Sequence, residues 1–517
     1  MRVKKFAPAI AILAVVWASL SSVLQPRPDN MAFCAERQGV PASNFAHRIF
    51  VDIFPEPTPV ADDSYSRESK AAMIAHHMAS GLWVVGRHYQ RTPDEVLAQD
   101  IKPFPVFGWQ DDFEYEIDWQ RRSVTVHAPG IPPRTAVYNG DQGSTILPRG
   151  ADNVYFKPKT VPRKLPDAAS EPWPMGDAGA TEPVPEGVNI DGIVDALEWA
   201  LAKTKHNTRA IVVVYDGKIV GERYAQGWTK DTPQISWSQG KSITAALIGV
   251  LVQRGHLRLD DFAPVKEWQG QGDPRRQIRI RDLLRMSSGL DFANLGLSGM
   301  RSFIRENEHM RIYFDALDVF KHAVEQPAEF PPNTRWRYRN SDPLTLGKIV
   351  RQTVEDQGGD YLTFPQRTLF DRIGARSFVL ETDAWGNFIL TGYDYGSARD
   401  WARFGLLHLW DGFWNGERIL PEGWTEFVST PAPTDKGQNY GGLFWLNRGG
   451  RLDRIPKDAY WSAGFMGQIT MIIPSRNVVV VRLGPSPGDY MSYLNVVIGR
   501  ILENLPGSHS RGDKTVN

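Results

Sequence analysis

Apolar positions in the second half of the chain follow helical spacing in some stretches and strand-like runs in others. From Ile235 to Gly255 the chain reads ISWSQGKSITAALIGVLVQRG. Ile243, Ala246, Leu247, Val250 and Leu251 recur at helical spacing and Gly255 supplies a stop, which predicts a buried helix. Upstream, NIDGIVDALEWALAK from Asn189 is an amphipathic helix pattern, and RAIVVVYDGKIVGERYAQG is two strands around an Asp216-Gly217 turn. Residues 280 to 352 read as mainly helical and loop-rich, with a helix from Leu344 to Gln352, and a further helix covers Ser397 to Leu409. The strand patterns GGLFWLN, WSAGFMGQITMIIP and NVVVVRLG follow, and the amphipathic DYMSYLNVVIGRILENL closes the chain. Helix and hairpin first, strands and helix last, with a helical insertion between them, predict an α/β (α+β) domain. Its antiparallel sheet is flanked by helices and joined by both ends of the domain, with a helical subdomain, rather than built from alternating βαβ units.

The pattern before this domain is different. Residues 44–156 carry helical stretches near Ser69 to Ala79 and Pro93 to Gln99, then the short alternating runs FEYEIDW, SVTVHA and TAVYNG. They read as a small α+β N-terminal extension. Prolines recur through residues 157–187 with few periodic apolar positions, which marks a linker or extended strap. The main domain then occupies 188–506, and 507–517 is a polar tail containing Arg511-Gly512-Asp513, a chance match. At the other end, MRVKK precedes an apolar stretch from Phe6 to about Leu20 and then small residues. Residues 1–26 are therefore expected to be a signal peptide or membrane anchor. The expected location is exported: periplasmic, or anchored to the inner membrane through this segment and facing outward.

Composition removes several function classes. Acidic and basic residues balance at 59 each in 517 residues, with no long run of either sign, so the footprint of a nucleic-acid binder is missing. Cys34 is the one cysteine, which rules out an internal disulfide and a cysteine metal cluster. His76, His77 and His88 lack the His-Glu-x-x-His spacing of a zinc site and read as packing or surface residues. No metal and no cofactor are expected.

Candidate chemistry begins where the buried helix begins. Ser238 and Lys241 stand three residues apart and so share one face of its first turn. A serine hydroxyl needs a nearby proton acceptor to become a nucleophile, and a desolvated lysine with a lowered pKa can serve. The unpaired N–H groups of a helix start favour a developing oxyanion. The bland alternative is a serine N-cap followed by a solvated lysine. Downstream, Tyr338 and Asn340 in WRYRNSD form a Tyr-x-Asn pair on a polar loop. A phenol beside a lysine can relay a proton, and an amide can orient the lysine or a substrate carbonyl; an ordinary turn is the alternative. Tyr493 and Asn495 repeat the pattern inside an apolar-periodic helix, where Tyr493 reads as packing. Ser462-Ala463-Gly464 opens a β-forming run, and small residues at a strand edge admit a substrate backbone. The N–H of Phe465 is positioned in sequence to pair with that of Ser238 as an oxyanion hole, although a strand start with no function fits equally. Gly484-Pro485-Ser486-Pro487-Gly488 matches a nucleophile elbow, but Pro487 lacks the N–H that the elbow supplies to the oxyanion.

Ser238-x-x-Lys241, Tyr338-x-Asn340 and a short motif on a late strand, in this order, resemble the serine β-lactamase and penicillin-binding-protein superfamily. WSQGKS, LLRMSSGLDF, RWRYRNSD, SARDWARFGLLHLWDGFWNGERILP and SAGFMGQITMIIPSRNVVVVRLG resemble in particular the class C β-lactamase-related hydrolases. These include esterases, D-aminopeptidases and 6-aminohexanoate-dimer hydrolase, and the last two stretches resemble the subgroup of that hydrolase in particular. The resemblance covers about Asn189 to Leu505 and implies a β-lactamase-like fold. It also implies Ser238 as acylated nucleophile, Lys241 and Tyr338 jointly as acid/base, and Asn340 as a positioning amide. Ser462, Gly464 and Phe465 would border the substrate, and Tyr395 would be a pocket contact. Ser462 departs from the lysine or histidine usual at its position, which points away from β-lactams towards neutral small-molecule amides or esters. A cell-wall D,D-peptidase and a non-catalytic binding protein of the same fold are the rival expectations.

Overall fold

The computed structural model describes residues 67–104, 111–292 and 308–507. The apolar stretch at the N-terminus, Cys34 and Arg511-Gly512-Asp513 lie outside them. Helix α1 (Arg67–Trp83) opens the described chain and is buried along most of its length. It packs on a four-stranded antiparallel sheet, β1 (Glu114–Asp118), β2 (Ser123–His127), β3 (Arg134–Tyr138) and β4 (Ser144–Ile146), joined in sequence order. Residues 157–187 form no strand or helix longer than a turn and strap this unit to the rest. Trp173 donates its indole N–H to the Gly217 carbonyl at 2.8 Å, and Arg403 reaches the Pro174 carbonyl at 2.7 Å and Asp177 at 2.8 Å.

Helix α2 (Ile190–Ala202) starts at Asn189, whose side chain accepts the Gly192 N–H. Strands β5 (Ala210–Tyr215) and β6 (Lys218–Tyr224) form the hairpin. Asp216 and Gly217 both have positive φ, 46° and 77°, the two-residue turn that matches strand twist. Strand β7 (Gln234–Ile235) leads to α3 (Gly240–Gln253), and α4 (Ser341–Asp356) packs against α3. After β8 (Val379–Leu380) and β9 (Asp394–Gly396), helix α5 (Ala398–Leu409) is capped by the Ser397 side chain. A short hairpin, β10 (Phe413–Trp414) and β11 (Glu417–Arg418), precedes β12 (Trp445–Leu446), β13 (Tyr460–Gly464), β14 (Gln468–Ile473) and β15 (Val478–Leu483). Helix α6 (Tyr490–Glu503) completes the domain.

The main sheet has six antiparallel strands in the order β12-β13-β14-β15-β5-β6, so β15 and β5 join the late strands to the early hairpin. Both of its faces are covered. Ile211, Val213, Val478 and Val480 face one apolar cluster with α2 and α6. Val212, Val214, Val479 and Val481 face the other, which α5 and the helical region share. Burial on both faces explains why β14 and β15, interrupted only by Gln468, Thr470 and Arg482, read as largely apolar runs instead of alternating. The N-terminal extension has no core of its own: Ala71, Ile74, Met78, Val124 and Val126 belong to that second cluster.

GGLFWLN yields less strand than its pattern predicts. Only Trp445 and Leu446 pair, because Leu443 takes a left-handed backbone (φ 61°) that interrupts extension. Among the described residues no helix is long and apolar enough to cross a membrane.

Candidate active site

Strand β7 pairs with β9 (Ile235 opposite Tyr395) and delivers the chain into a tight turn, Trp237–Gln239, from which α3 departs. Trp237 has φ 50°, a left-handed conformation rare for a bulky residue and costing on the order of 1–3 kcal/mol. From Thr232 to Leu251 every residue is buried except Ser238, which is half-buried. The turn thus lifts one hydroxyl out of an otherwise sealed segment.

Lys241, one helical turn on, is 1 % exposed, and its Nζ lies 3.0 Å from Ser238 Oγ. Burial pulls its pKa from 10.5 to about 7, with the Asp394 carboxyl opposing the shift. A lysine in that state is a free amine in about half of the molecules at neutral pH. Its Nζ and Ser238 Oγ each lie 3.4 Å from the Thr391 carbonyl oxygen, which faces both. Tyr338 closes the third side. Its phenol stands beside the Ser238 hydroxyl, and its ring centroid is 4.9 Å from Lys241 Nζ. Burial holds the phenol well above its ordinary pKa of 10, so it stays protonated and can donate. Ser238, Lys241 and Tyr338 are therefore brought together.

Asn340 ends the same loop just before α4, and its Nδ2 donates to the Tyr313 hydroxyl at 3.2 Å. That hydroxyl in turn donates to the Thr391 carbonyl at 2.8 Å. The amide thereby steadies the carbonyl that faces the serine and the lysine. Ser462 is buried on β13, and its hydroxyl donates to Gln239 Oε1 at 2.7 Å, beside Thr470 at 2.9 Å. Gln239 lies inside the Ser-x-x-Lys turn, so Ser462 ties the late strand to that turn. Gly464 follows at the strand end, against the turn. Phe465, half-buried, sets its ring 5.9 Å from Trp237, nearly perpendicular to it.

Tyr395 stands elsewhere. It is 1 % exposed within β9, near Ser80 of α1 and Glu381. Its neighbour Asp394 is the residue of that strand that reaches the Ser238 turn, since successive strand side chains point to opposite faces. Ser236 Oγ donates to the Asp394 carboxyl, and burial pushes that carboxyl up to about 7. A β-carbon on Gly240 would stand 2.1 Å from Asp394 Oδ1, so glycine is needed there for the carboxyl to fit under the helix start. Sequence reasoning missed Asp394, Thr391 and Tyr313. Thr391 acts through its backbone, which leaves no mark in a sequence, and Tyr313 belongs to no spaced motif. An acidic residue inside the apolar-flanked TGYDYG was the one available signal.

The histidines of α1 are internal. His76 Nε2 is 2.8 Å from Glu381 Oε2, and its ring stacks on Tyr393 at 4.0 Å. Burial pulls the pKa of His77 down to about 3. His88 is exposed. Among the described residues no group of three or more His, Cys, Asp or Glu is arranged to hold a metal. Ser486, of the elbow-like GPSPG, is 1 % exposed, bonded to His206 Nδ1 at 2.8 Å, and its N–H is bound to the Met466 carbonyl. Tyr493 is buried, with its hydroxyl bonded to Thr208 and to the Ala200 carbonyl.

A family profile described as Beta-lactamase matches residues 194–498. A 6-aminohexanoate-dimer hydrolase of Paenarthrobacter ureafaciens is 24% identical over 348 residues, covering 63% of this chain and 82% of its own. Among solved structures, a family VIII carboxylesterase aligns with a TM-score of 0.48 at 15% identity, over 61% of this chain and 96% of that one. A penicillin-binding protein homolog of Caulobacter crescentus aligns with a TM-score of 0.46 at 14% identity, over 62% and 97%.

Proposed function

The chain belongs to the beta-lactamase family and is a serine hydrolase, and from that premise we propose that it cleaves a small amide or ester through an acyl-enzyme on Ser238. The carrying observation is the 3.0 Å approach of a desolvated Lys241 amine to the Ser238 hydroxyl. As Ser238 Oγ attacks the substrate carbonyl carbon, its proton passes to Lys241 Nζ. The carbonyl oxygen becomes an oxyanion received by the N–H groups of Ser238 and Phe465. Tyr338 gives its phenolic proton to the leaving nitrogen or oxygen, the carbon–heteroatom bond breaks, and the Lys241 ammonium restores the phenol's proton. Water then attacks the acyl ester with its proton taken by the amine, the acyl–Oγ bond breaks, and the Lys241 ammonium returns that proton to Ser238 Oγ as the acid is released.

Tyr338 is a poor first base because burial keeps it protonated, which favours Lys241 for that step. Ser462 is uncharged and already bonded to Gln239, so it offers no cation to a β-lactam or peptide carboxylate. Uncharged esters and short amides are the substrates this favours, and a relative's name, 6-aminohexanoate-dimer hydrolase, makes linear amides the first to try. The basic and apolar N-terminal segment supports export, with the catalytic part periplasmic or held outside the inner membrane. Cell fractionation of the full chain checks that placement, and recovery in the cytoplasm would refute it.

The test of function is a panel of p-nitrophenyl esters, short linear amides and a chromogenic cephalosporin, with intact-protein mass spectrometry under burst conditions. An ester or amide should turn over with an acyl adduct on the Ser238 peptide. Cephalosporin turnover exceeding both would favour the cell-wall enzyme, and an adduct on another residue would dismiss the nucleophile.

A further inference from the structure

We propose that the N-terminal extension, which lies outside the family-matched segment, is part of the active site: His77 and Phe104 are positioning residues that hold Trp237 so that Ser238 is presented. This rests on Ser238 being the nucleophile. Trp237 immediately precedes Ser238 and carries a left-handed backbone that a tryptophan does not adopt unaided. Such a conformation persists only when the surroundings over-determine it. Trp237 is 4 % exposed, and its indole is enclosed by rings that include Tyr313, Tyr393 and Phe465 of the hydrolase domain. The remaining side is covered by the extension. The His77 ring lies 6.0 Å away, 20° from parallel, and the Phe104 ring is 6.1 Å away.

The extension is fixed well enough to act as a buttress. His76 stacks on Tyr393 and meets Glu381, which also accepts the Ser80 hydroxyl and the Ser144 N–H, each at 2.8 Å. Buried Asp100 joins Arg91 of the extension to Arg209 at the start of β5. His77 works as a ring and not as a proton carrier, because burial keeps it neutral across the physiological range. Phenylalanine should therefore replace it.

The experiment compares full-length wild type, His77→Ala, His77→Phe and Val124→Ala by the rate at which a fluorophosphonate labels Ser238. Each is read at a temperature where circular dichroism shows it folded. Val124 is a buried extension residue on β2 and serves as the control for general destabilisation. His77→Ala should label about tenfold to a hundredfold more slowly, while His77→Phe keeps the wild-type rate and pH profile and Val124→Ala keeps the rate. Wild-type labelling in His77→Ala, or equal slowing in Val124→Ala, overturns the proposal. Should His77→Ala fail to fold, Phe104→Leu is read in the same way. Wild type that takes no label on Ser238 would instead remove the nucleophile assignment, an outcome visible before any variant is made.

Discussion

Gly464 at the end of β13 lies against Ser236 so closely that a β-carbon there would stand 1.9 Å from the Ser236 carbonyl oxygen. The contact joins the late strand to the residue two before Ser238, with backbone on one side and no flexible side chain to yield. Gly464→Ala should push strand and turn apart, costing about 1–3 kcal/mol in stability. The same movement should cut kcat by more than tenfold, since displacements near 1 Å at a reacting group cost about a hundredfold. Thermal unfolding and steady-state kinetics on the same preparation check both effects; wild-type kcat would show that the strand end does not set the turn.

In the proposed mechanism the amine of Lys241 has to be free to accept a proton, and burial sets its pKa at about 7. Activity as kcat/KM should therefore rise through pH 7, falling about tenfold per unit below it. Lys241→Arg should be inactive at every accessible pH, because arginine stays protonated. Stability should run the other way from a salt-bridged lysine. Between about 7 and the ordinary 10.5, the unfolded chain binds a proton that the folded one does not, so this residue's contribution improves as pH rises through that window. Lys241→Met should accordingly raise the melting temperature at pH 6, and a fall would contradict the burial argument.

Asp394 bears on the same limb. Its carboxylate raises the pKa of Lys241 against the effect of burial. Glu381 of the adjoining segment, Tyr313 and Tyr338 also face this carboxyl. Asp394→Asn keeps an acceptor for the Ser236 hydroxyl but removes the charge, so the acid limb should move to lower pH. A pH–rate profile of the variant measures this, and an unmoved limb would mean that the carboxyl is silent towards the amine.

Asp100 is 5 % exposed and bonded on both sides by arginines, with Arg209 at 2.8 Å. Its pKa stays below the usual carboxylate value because Arg209 and Arg91 outweigh the burial that pushes it up. Asp100→Leu leaves two buried cations unmatched and should cost about 3–5 kcal/mol. Replacing Arg91 and Asp100 together should recover part of that loss, measured by denaturant unfolding.

The helices and the β5–β6 hairpin were legible because their signals are local: caps at Asn189 and Ser397, the Asp216-Gly217 turn, and 3.6-residue spacing. The juxtaposition of Ser238, Lys241 and Tyr338 was legible because the proposed chemistry requires particular residue types. The three-stranded sheet β7-β9-β8 was not, since strands of two or three residues carry no periodicity. Choosing Tyr395 over Asp394 was a question of strand phase, which no flanking residue in so short a strand decides. The role of α1 was hidden for another reason: Ser80 and Glu381 are 301 residues apart, and no local pattern announces such a contact.

The strand order of the main sheet has a consequence for how the chain comes into being. Strands β5 and β6 need β15 beside them, and β15 is synthesised more than two hundred residues later. Until then the early hairpin has an unsatisfied edge and an uncovered apolar face, and hairpins alone are marginal in water. Sheet assembly must wait for β15 to emerge, so the nascent chain stays unfinished, and threadable, while everything between β6 and β15 is made.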